Sequence, residues 1–268
     1  MTKLNNLLAW MAKQERIVVA YSGGVDSSLV LATATQTLGR SAVAVMAVSP
    51  SLPESERLEA LELAAQIGAT VTQITTHETE DSRYQANALN RCYFCKSHVY
   101  SALKNFAASL PNAVLVDGMN AEDTLDLRPG RAAARELEVH SPLHDLGFSK
   151  ADVREAARSL GLPNWNKPAA ACLASRIPYG TQVTNALLSQ VERAEAALKP
   201  FGFKTLRVRH HGDLARVEVP PEDFGLILEQ RSAIHLALLA AGYTYSAMDL
   251  MGFRSGSANE VISQHQSS

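Results

Sequence analysis

Cysteine is scarce in this chain of 268 residues: there are three, Cys92, Cys95 and Cys172. So small and odd a number excludes a disulfide-stapled secreted scaffold. Charge of one sign is missing too, since 25 Lys and Arg stand against 27 Asp and Glu, a formal net charge of −2. No basic face is announced, so nucleic acid is not an expected partner. Long apolar runs are also absent, and none reaches the roughly twenty residues that a membrane-spanning helix needs. Met1 to Arg16 interleaves Lys3, Lys13, Glu15 and Arg16 with short apolar steps, and builds no signal-peptide core. These absences predict a cytoplasmic protein with no membrane partner. What is plentiful is apolar side chains, 46% of the chain, enough for one substantial core or one large and one small.

The apolar residues are distributed in an alternating pattern. Strands are expected at Ile17–Tyr21, Ala42–Val48, Thr70–Thr75 and Ala113–Asp117, and helices at Ser27–Leu38, Glu54–Ile67 and Lys96–Ser109. Strand–helix alternation of this kind predicts α/β architecture, a parallel sheet with helices on both faces. Composition shifts near Pro163–Pro168. Beyond it the pattern predicts a helix at Asn185–Leu198 and a hairpin of Lys204–Arg209 with Leu214–Val219. A long helix at Pro221–Ala241 and a last strand at Tyr243–Phe253 complete the reading. The expected organisation is a nucleotide domain over 1–168, a smaller α+β domain over 169–255, and a disordered tail over 256–268.

The chemistry begins at Ser22-Gly23-Gly24-Val25-Asp26-Ser27, directly after the first strand. Paired glycines let backbone approach a ligand closely, and the N–H groups that open the following helix point at an anion. Ser22, Ser27 and Ser28 add hydroxyls. The Lys-Ser/Thr pair that closes a Walker A loop is absent. Asp26 would repel a phosphate unless a cation stood between them, which predicts bound Mg2+. The six residues resemble the PP-loop of the N-type ATP pyrophosphatases, and the resemblance implies ATP bound on Ser22, Gly23, Gly24, Val25, Asp26 and Ser27.

Further along, Asp117-Gly118-Met119-Asn120-Ala121-Glu122-Asp123 places carboxylates and a glycine where a strand leaves the sheet. There Gly118 and Asp123 are candidate ATP and magnesium residues. Arg128 is a candidate for a bidentate anion contact. Ser149 reads as a helix N-cap, and Lys150 in that first turn opposes the helix dipole unless an anion lies near.

The stretch Asn166–Gly180, with its core Cys172-Leu173-Ala174-Ser175-Arg176-Ile177-Pro178-Tyr179-Gly180, resembles the LarE family. So do the Asp117–Asp123 loop and Arg207-Val208-Arg209. That family comprises ATP-dependent sulfur transferases that serve the nickel-pincer cofactor of lactate racemase. The resemblance covers the chain from about Ile17 to Phe253. It implies a small-molecule substrate, pyridinium-3,5-biscarboxylic acid mononucleotide, whose carboxylates are adenylated and then become thiocarboxylates. It also implies that Cys172 carries the sulfur, with Ser175 and Arg176 beside it. Arg207 and Arg209, two apart on a strand and hence on one face, are candidates for the substrate's phosphate. Glu195 and Asp223 would complete that second site.

Cys92 and Cys95 have a C-x2-C spacing. With Cys172 they make three thiolates for a [4Fe–4S] cluster whose fourth iron stays open to an external sulfide; a branch of the family is thought to use three cysteines in this way. Zinc on Cys92, Cys95, His98 and Cys172, a redox dithiol, and Cys172 as a single-use sulfur donor remain open beside it. A PP-loop tRNA thiolase, an ammonia-using amidotransferase and a nucleotide-binding regulator are the competing functions. The apolar second domain predicts a homo-oligomer.

Overall fold

The computed structural model describes residues 2–124, 134, 136–168 and 170–254. Arg128 and the tail expected over 256–268 lie outside them. The chain divides into two compact units, one of 1–84 with 89–170 and one of 85–88 with 171–268.

The first unit is built on four parallel strands. These are β1 (Arg16–Ala20), β2 (Ala42–Val48), β3 (Val71–Thr75) and β4 (Ala113–Val116), in the order β3-β2-β1-β4. The central strand is buried on both faces, as parallel strands between helix layers are. Ile17 and Val19 face one core with Leu7, Leu29 and Val153, while Val18 faces another with Tyr100, Leu103 and Leu115. The first core is covered by α1 (Lys3–Met11), α2 (Val25–Leu38), α3 (Glu54–Ile67) and α5 (Lys150–Ser159). The second is covered by α4 (Arg91–Ala108). Ser149 does cap α5, with Asp152 closing the reciprocal capping box.

The second unit packs α6 (Asn185–Leu198), α7 (Phe224–Glu229) and α8 (Arg231–Ala240) on a three-stranded sheet. Its strands are β5 (Arg207–His211), β6 (Leu214–Glu218) and β7 (Tyr245–Met248). β5 and β6 are antiparallel, and β6 and β7 are parallel. Leu198, Val208, Ala215, Val217, Ile234 and Tyr243 form its core.

Several boundaries differ from expectation. The helix expected from Lys96 begins at Arg91, so Cys92 and Cys95 lie at its start and not in a loop before it. The single helix expected over Pro221–Ala241 is a 3-10 turn, Pro221–Asp223, followed by α7 and α8. Gln230 breaks it at φ −99° and ψ 12°, and the break lets Ile227 and Ile234 both reach the same core. The last strand is four residues long because β7 pairs only with Leu214–Val217 of β6. β5 starts at Arg207, three residues late, for the same reason: its partner positions run from Glu218 back to Leu214. Helix α1 had no expectation attached to it.

Residues 85–88 belong to the second unit through Asn87. This residue is fully buried at φ 51°, a left-handed conformation that asparagine tolerates better than most. Its Nδ2 donates to the carbonyls of Pro178 and Thr181, each at 2.8 Å. The Asn87 carbonyl accepts from Gly180 N, and the Gln85 carbonyl from Val183 N. Asn87→Ala strips two part-buried carbonyls of their donor at a cost of about 1 kcal/mol. The variant is expected to melt several degrees below the parent in a calorimetric scan.

Candidate active site

β1 hands the chain to the loop at Tyr21, whose N–H still bonds the Val45 carbonyl of β2. The turn follows at once, and α2 opens at Val25 with Gly24 as its N-cap. Gly23 sits at φ +73°, and a Cβ there would lie 2.4 Å from the Ala60 side chain on α3. Gly118, just past β4, would place a Cβ 2.6 Å from the backbone nitrogen of Ser27. Both positions demand glycine for closeness of backbone. Ser27 Oγ, 3.2 Å from both Ser22 Oγ and the Gly24 carbonyl, ties the loop to the first turn of α2.

A cavity of about 390 Å3 lies at this carboxyl edge of the sheet. Its walls include Ser22, Gly24, Asp26 and Ser27 from the loop, Asp117, Gly118 and Asp123 from beyond β4, and Val45, Met46 and Ala47 from β2. Three carboxylates therefore share a wall with a run of backbone N–H groups and hydroxyls. Hard oxygen donors suit magnesium, and the N–H groups suit phosphate.

Each carboxylate is held. Asp26 Oδ1 accepts from Asn120 Nδ2 at 2.9 Å. Burial pushes its pKa above the ordinary range, with the Asn120 bond opposing and the Asp123 charge assisting. Asp117, 4% exposed, accepts from the Tyr100 hydroxyl at 2.9 Å and from Met119 N. Burial and that neighbour raise the Tyr100 phenol well above its usual value, so it stays a donor. Asp123 accepts from Asn120 N and lies 3.9 Å from Lys150 Nζ. Lys96, from α4, stands in the cavity wall itself. The sequence reading missed Lys96, Tyr100 and the role of Asn120. Their one available signal was helical spacing, since Lys96 and Tyr100 lie four residues apart on α4.

In the second unit, Cys172 is a free, half-buried thiol at the N-cap of a 3-10 turn, Leu173–Arg176. Arg176, 3% exposed, donates from Nη1 to the carbonyls of Ala171 and Cys172 and to Ser175 Oγ. Its Nε and Nη2 bond Glu195 at 2.9 and 3.1 Å. Arg209 donates to Glu218 at 3.0 and 2.9 Å and to the Ser175 carbonyl at 2.7 Å. Cys172, Ser175, Arg176, Glu195 and Arg209 are thus one connected group, extended by the fully buried Glu218, which the sequence reading did not single out. Arg207 lies elsewhere, over the Phe253 ring at 5.5 Å. Asp223 heads α7.

Neither Cys92 nor Cys95 is in a disulfide; the first is exposed and the second half-buried. Three residues apart on a helix, they share a face. His98 Nε2 lies 3.0 Å from Asp81 Oδ2. Among the described residues no three or more His, Cys, Asp or Glu side chains are grouped to hold a metal ion. The pair belongs to the first unit and Cys172 to the second.

Two outcomes follow from the cradle. Gly118→Ala forces a methyl group into the first turn of α2 and is expected to abolish ATP binding, read by calorimetric titration, while the chain still folds. Asp26→Asn should stabilise the ligand-free protein at neutral pH. A half-buried acid with a raised pKa costs nothing while both states hold the proton; stability falls as pH rises through the raised value, and an amide escapes that loss. Thermal melts at acidic and neutral pH, with and without Mg-ATP, measure both halves. The variant should also lose its magnesium-dependent gain on adding ATP.

The NAD synthase family pattern matches residues 4–127. An uncharacterised protein of Synechocystis sp., slr1717, is 42% identical over 265 residues, covering 98% of this chain and 99% of its own. The pyridinium-3,5-bisthiocarboxylic acid mononucleotide synthase of Lactiplantibacillus plantarum is 40% identical over 266 residues, covering 99% and 96%. An uncharacterised Methanocaldococcus jannaschii protein, MJ0830, is 27% identical over 256 residues, covering 94% and 96%. With a PP-loop cradle at the edge of a parallel sheet and a synthase matched over nearly all of both chains, this chain belongs to the LarE family of ATP-dependent sulfur transferases.

Proposed function

We propose that the protein adenylates carboxylates of pyridinium-3,5-biscarboxylic acid mononucleotide and converts them to thiocarboxylates for a nickel-pincer cofactor. The observation that carries this reading is the cavity. It joins the PP-loop to Asp26, Asp117 and Asp123, in a chain matched end to end with a synthase of the bisthiocarboxylic product.

ATP would lie on Ser22–Ser27, with Gly118, Asp123 and Lys150 around its phosphates. Magnesium held by Asp26 and its neighbours would neutralise the triphosphate. A substrate carboxylate oxygen attacks the α-phosphorus and pyrophosphate leaves with the bonding pair, a step that needs alignment and charge neutralisation more than covalent help. Sulfur then attacks the acyl carbon, and AMP leaves with the electrons of the C–O bond. Arg209 is assigned to the substrate's own phosphate, with Glu195 and Asp223 completing that site through a bound cation, and Arg176 and Ser175 to the turn that presents Cys172; Arg207, over the Phe253 ring, stands apart from this group. Since Arg209 and Arg176 already hold carboxylates, a phosphate would have to compete with Glu218 and Glu195.

Sulfur delivery has two readings. In the first, Cys92, Cys95 and Cys172 hold a [4Fe–4S] cluster, which when bound supplies an open iron for an external sulfide. The second needs only the turn that presents Cys172, which Arg176 holds by its carbonyl. There Cys172 gives up its own sulfur: its Cα proton goes to a base, the Cβ–S pair stays with sulfur, and dehydroalanine remains. Neither reading invokes nucleic acid or a membrane, in keeping with the near-neutral charge. No helix among the described residues is long and apolar enough to cross a bilayer. Self-association is assigned to the second unit, where Leu236, Tyr245, Leu250 and Met251 are exposed.

Protein purified without oxygen distinguishes the readings by its absorption spectrum and its iron, sulfide and zinc content. A brown protein that bleaches in Cys92→Ala supports the cluster. A colourless one, lighter by the mass of one hydrogen sulfide molecule after a single turnover, supports the sacrificial cysteine. Cys172→Ala should still release pyrophosphate from ATP with the pyridinium substrate, yet form no thiocarboxylate. Full sulfur-transfer activity in that variant would remove Cys172 from the chemistry, and tight, salt-sensitive tRNA binding would favour the thiolase instead.

A further inference from the structure

The turn after α5 reaches the phosphate cradle through one side chain. Asn164 Nδ2 donates to the Gly23 carbonyl at 3.2 Å and to Ser28 Oγ at 3.1 Å. Ser28, expected to offer its hydroxyl to the phosphates, is instead fully buried, so this approach comes from inside the protein, whereas Ser22, Gly24 and Ser27 face the cavity. The amide's other end, Oδ1, is buried with no hydrogen-bond partner. A buried acceptor left bare costs free energy, so an asparagine here is kept for its donor. The orientation is also forced. A backbone carbonyl only accepts, so a reversed amide would set oxygen against oxygen at Gly23.

In a trans peptide the C=O and the next N–H point to opposite sides of the chain. Drawing the Gly23 oxygen inward therefore turns the Gly24 N–H outward. Gly23 itself sits at φ +73°, with Ala60 packed where a Cβ would stand, so the loop relies on this bond and not on a side chain of its own to hold the peptide. We infer that Asn164 is a positioning residue for the adenylation step: it fixes the Gly23–Gly24 peptide so that the Gly24 N–H faces the phosphates of ATP. The same turn is anchored a second time, where Lys167 Nζ bonds Glu56 at 2.7 Å and Glu59 at 2.8 Å. Glu56 also stands in the cavity wall.

This inference rests on the nucleotide reading of the cavity, and the experiment separates the two. Mg-ATP is titrated calorimetrically into the full-length wild type, Asn164→Asp and Asn164→Ala, with melting curves recorded alongside. Asn164→Asp is isosteric but, when ionised, presents only acceptors to Gly23. It should bind ATP about tenfold or more weakly at about pH 8, and regain affinity toward about pH 5.5 as its carboxyl takes up a proton and becomes a donor again. Asn164→Ala should lose about fivefold at both pH values, and serves alone if the aspartate variant does not fold. Unchanged ATP affinity in the variants overturns the inference, and so does a loss in Asn164→Asp that ignores pH, which would mark packing rather than donation. A wild type that does not bind ATP would overturn the nucleotide reading itself, and the inference with it.

Discussion

The site depends on three backbone segments touching where side chains would hold them apart. Gly23 rests on Ala60 of α3, and Gly118 rests on the first turn of α2 at Ser27. These contacts bring the ends of β1 and β4 together around one cavity, and they set the N–H groups at the head of α2 beside three carboxylates. Everything else in the first unit serves to hold this approach. The central strand is buried on both faces, α3 backs the loop, and the Tyr21 hydroxyl donates to the Ala60 carbonyl at 2.9 Å to lock it there. A methyl group at either glycine would cost more than its own volume, since what it meets is backbone or the packed side of a helix and not a side chain free to swing away.

The two units handle charge in opposite ways. In the first, Asp26 is half-buried next to Asn120 and near Asp123, with its pKa raised by desolvation. The ligand-free cradle therefore carries an electrostatic cost that a divalent cation would relieve. In the second, the buried charges are already matched, Arg176 with Glu195 and Arg209 with Glu218. Such pairs add little net stability over apolar packing, but breaking one strands a charge. Here they also hold the carbonyls of Cys172 and Ser175, so ion pairs join the buried Leu173 and Ala174 in fixing the turn that presents the thiol.

Strands and helices of the first unit were legible because burial on a period of two or 3.6 leaves a trace in the order of residues. Ala42–Val48 and Glu54–Ile67 match the pattern to the residue. Legibility weakened in the second unit. The ends of β5 and β7 are decided by which residues of β6 they can pair with, and the long helix breaks at Gln230, a residue with no breaking tendency of its own. The helix carrying Cys92 and Cys95 began earlier than its apolar pattern did, since Arg91-Cys92-Tyr93-Phe94-Cys95 offers no clear stripe to read.

The sequence by itself determined the chemistry available: a glycine-rich phosphate loop, an aspartate that calls for a cation, three cysteines and no more, and a near-neutral charge. These are properties of residue type and short spacing, which the chain carries wherever it folds. Only the tertiary structure decided partners. It gave Arg176 and Arg209 to Glu195 and Glu218, gave His98 to Asp81, brought Lys96 and Tyr100 to the cavity, and set Asn164 behind Gly23 across 141 residues of chain. Partnership between residues far apart in sequence arises from how the elements pack, and no local pattern records it.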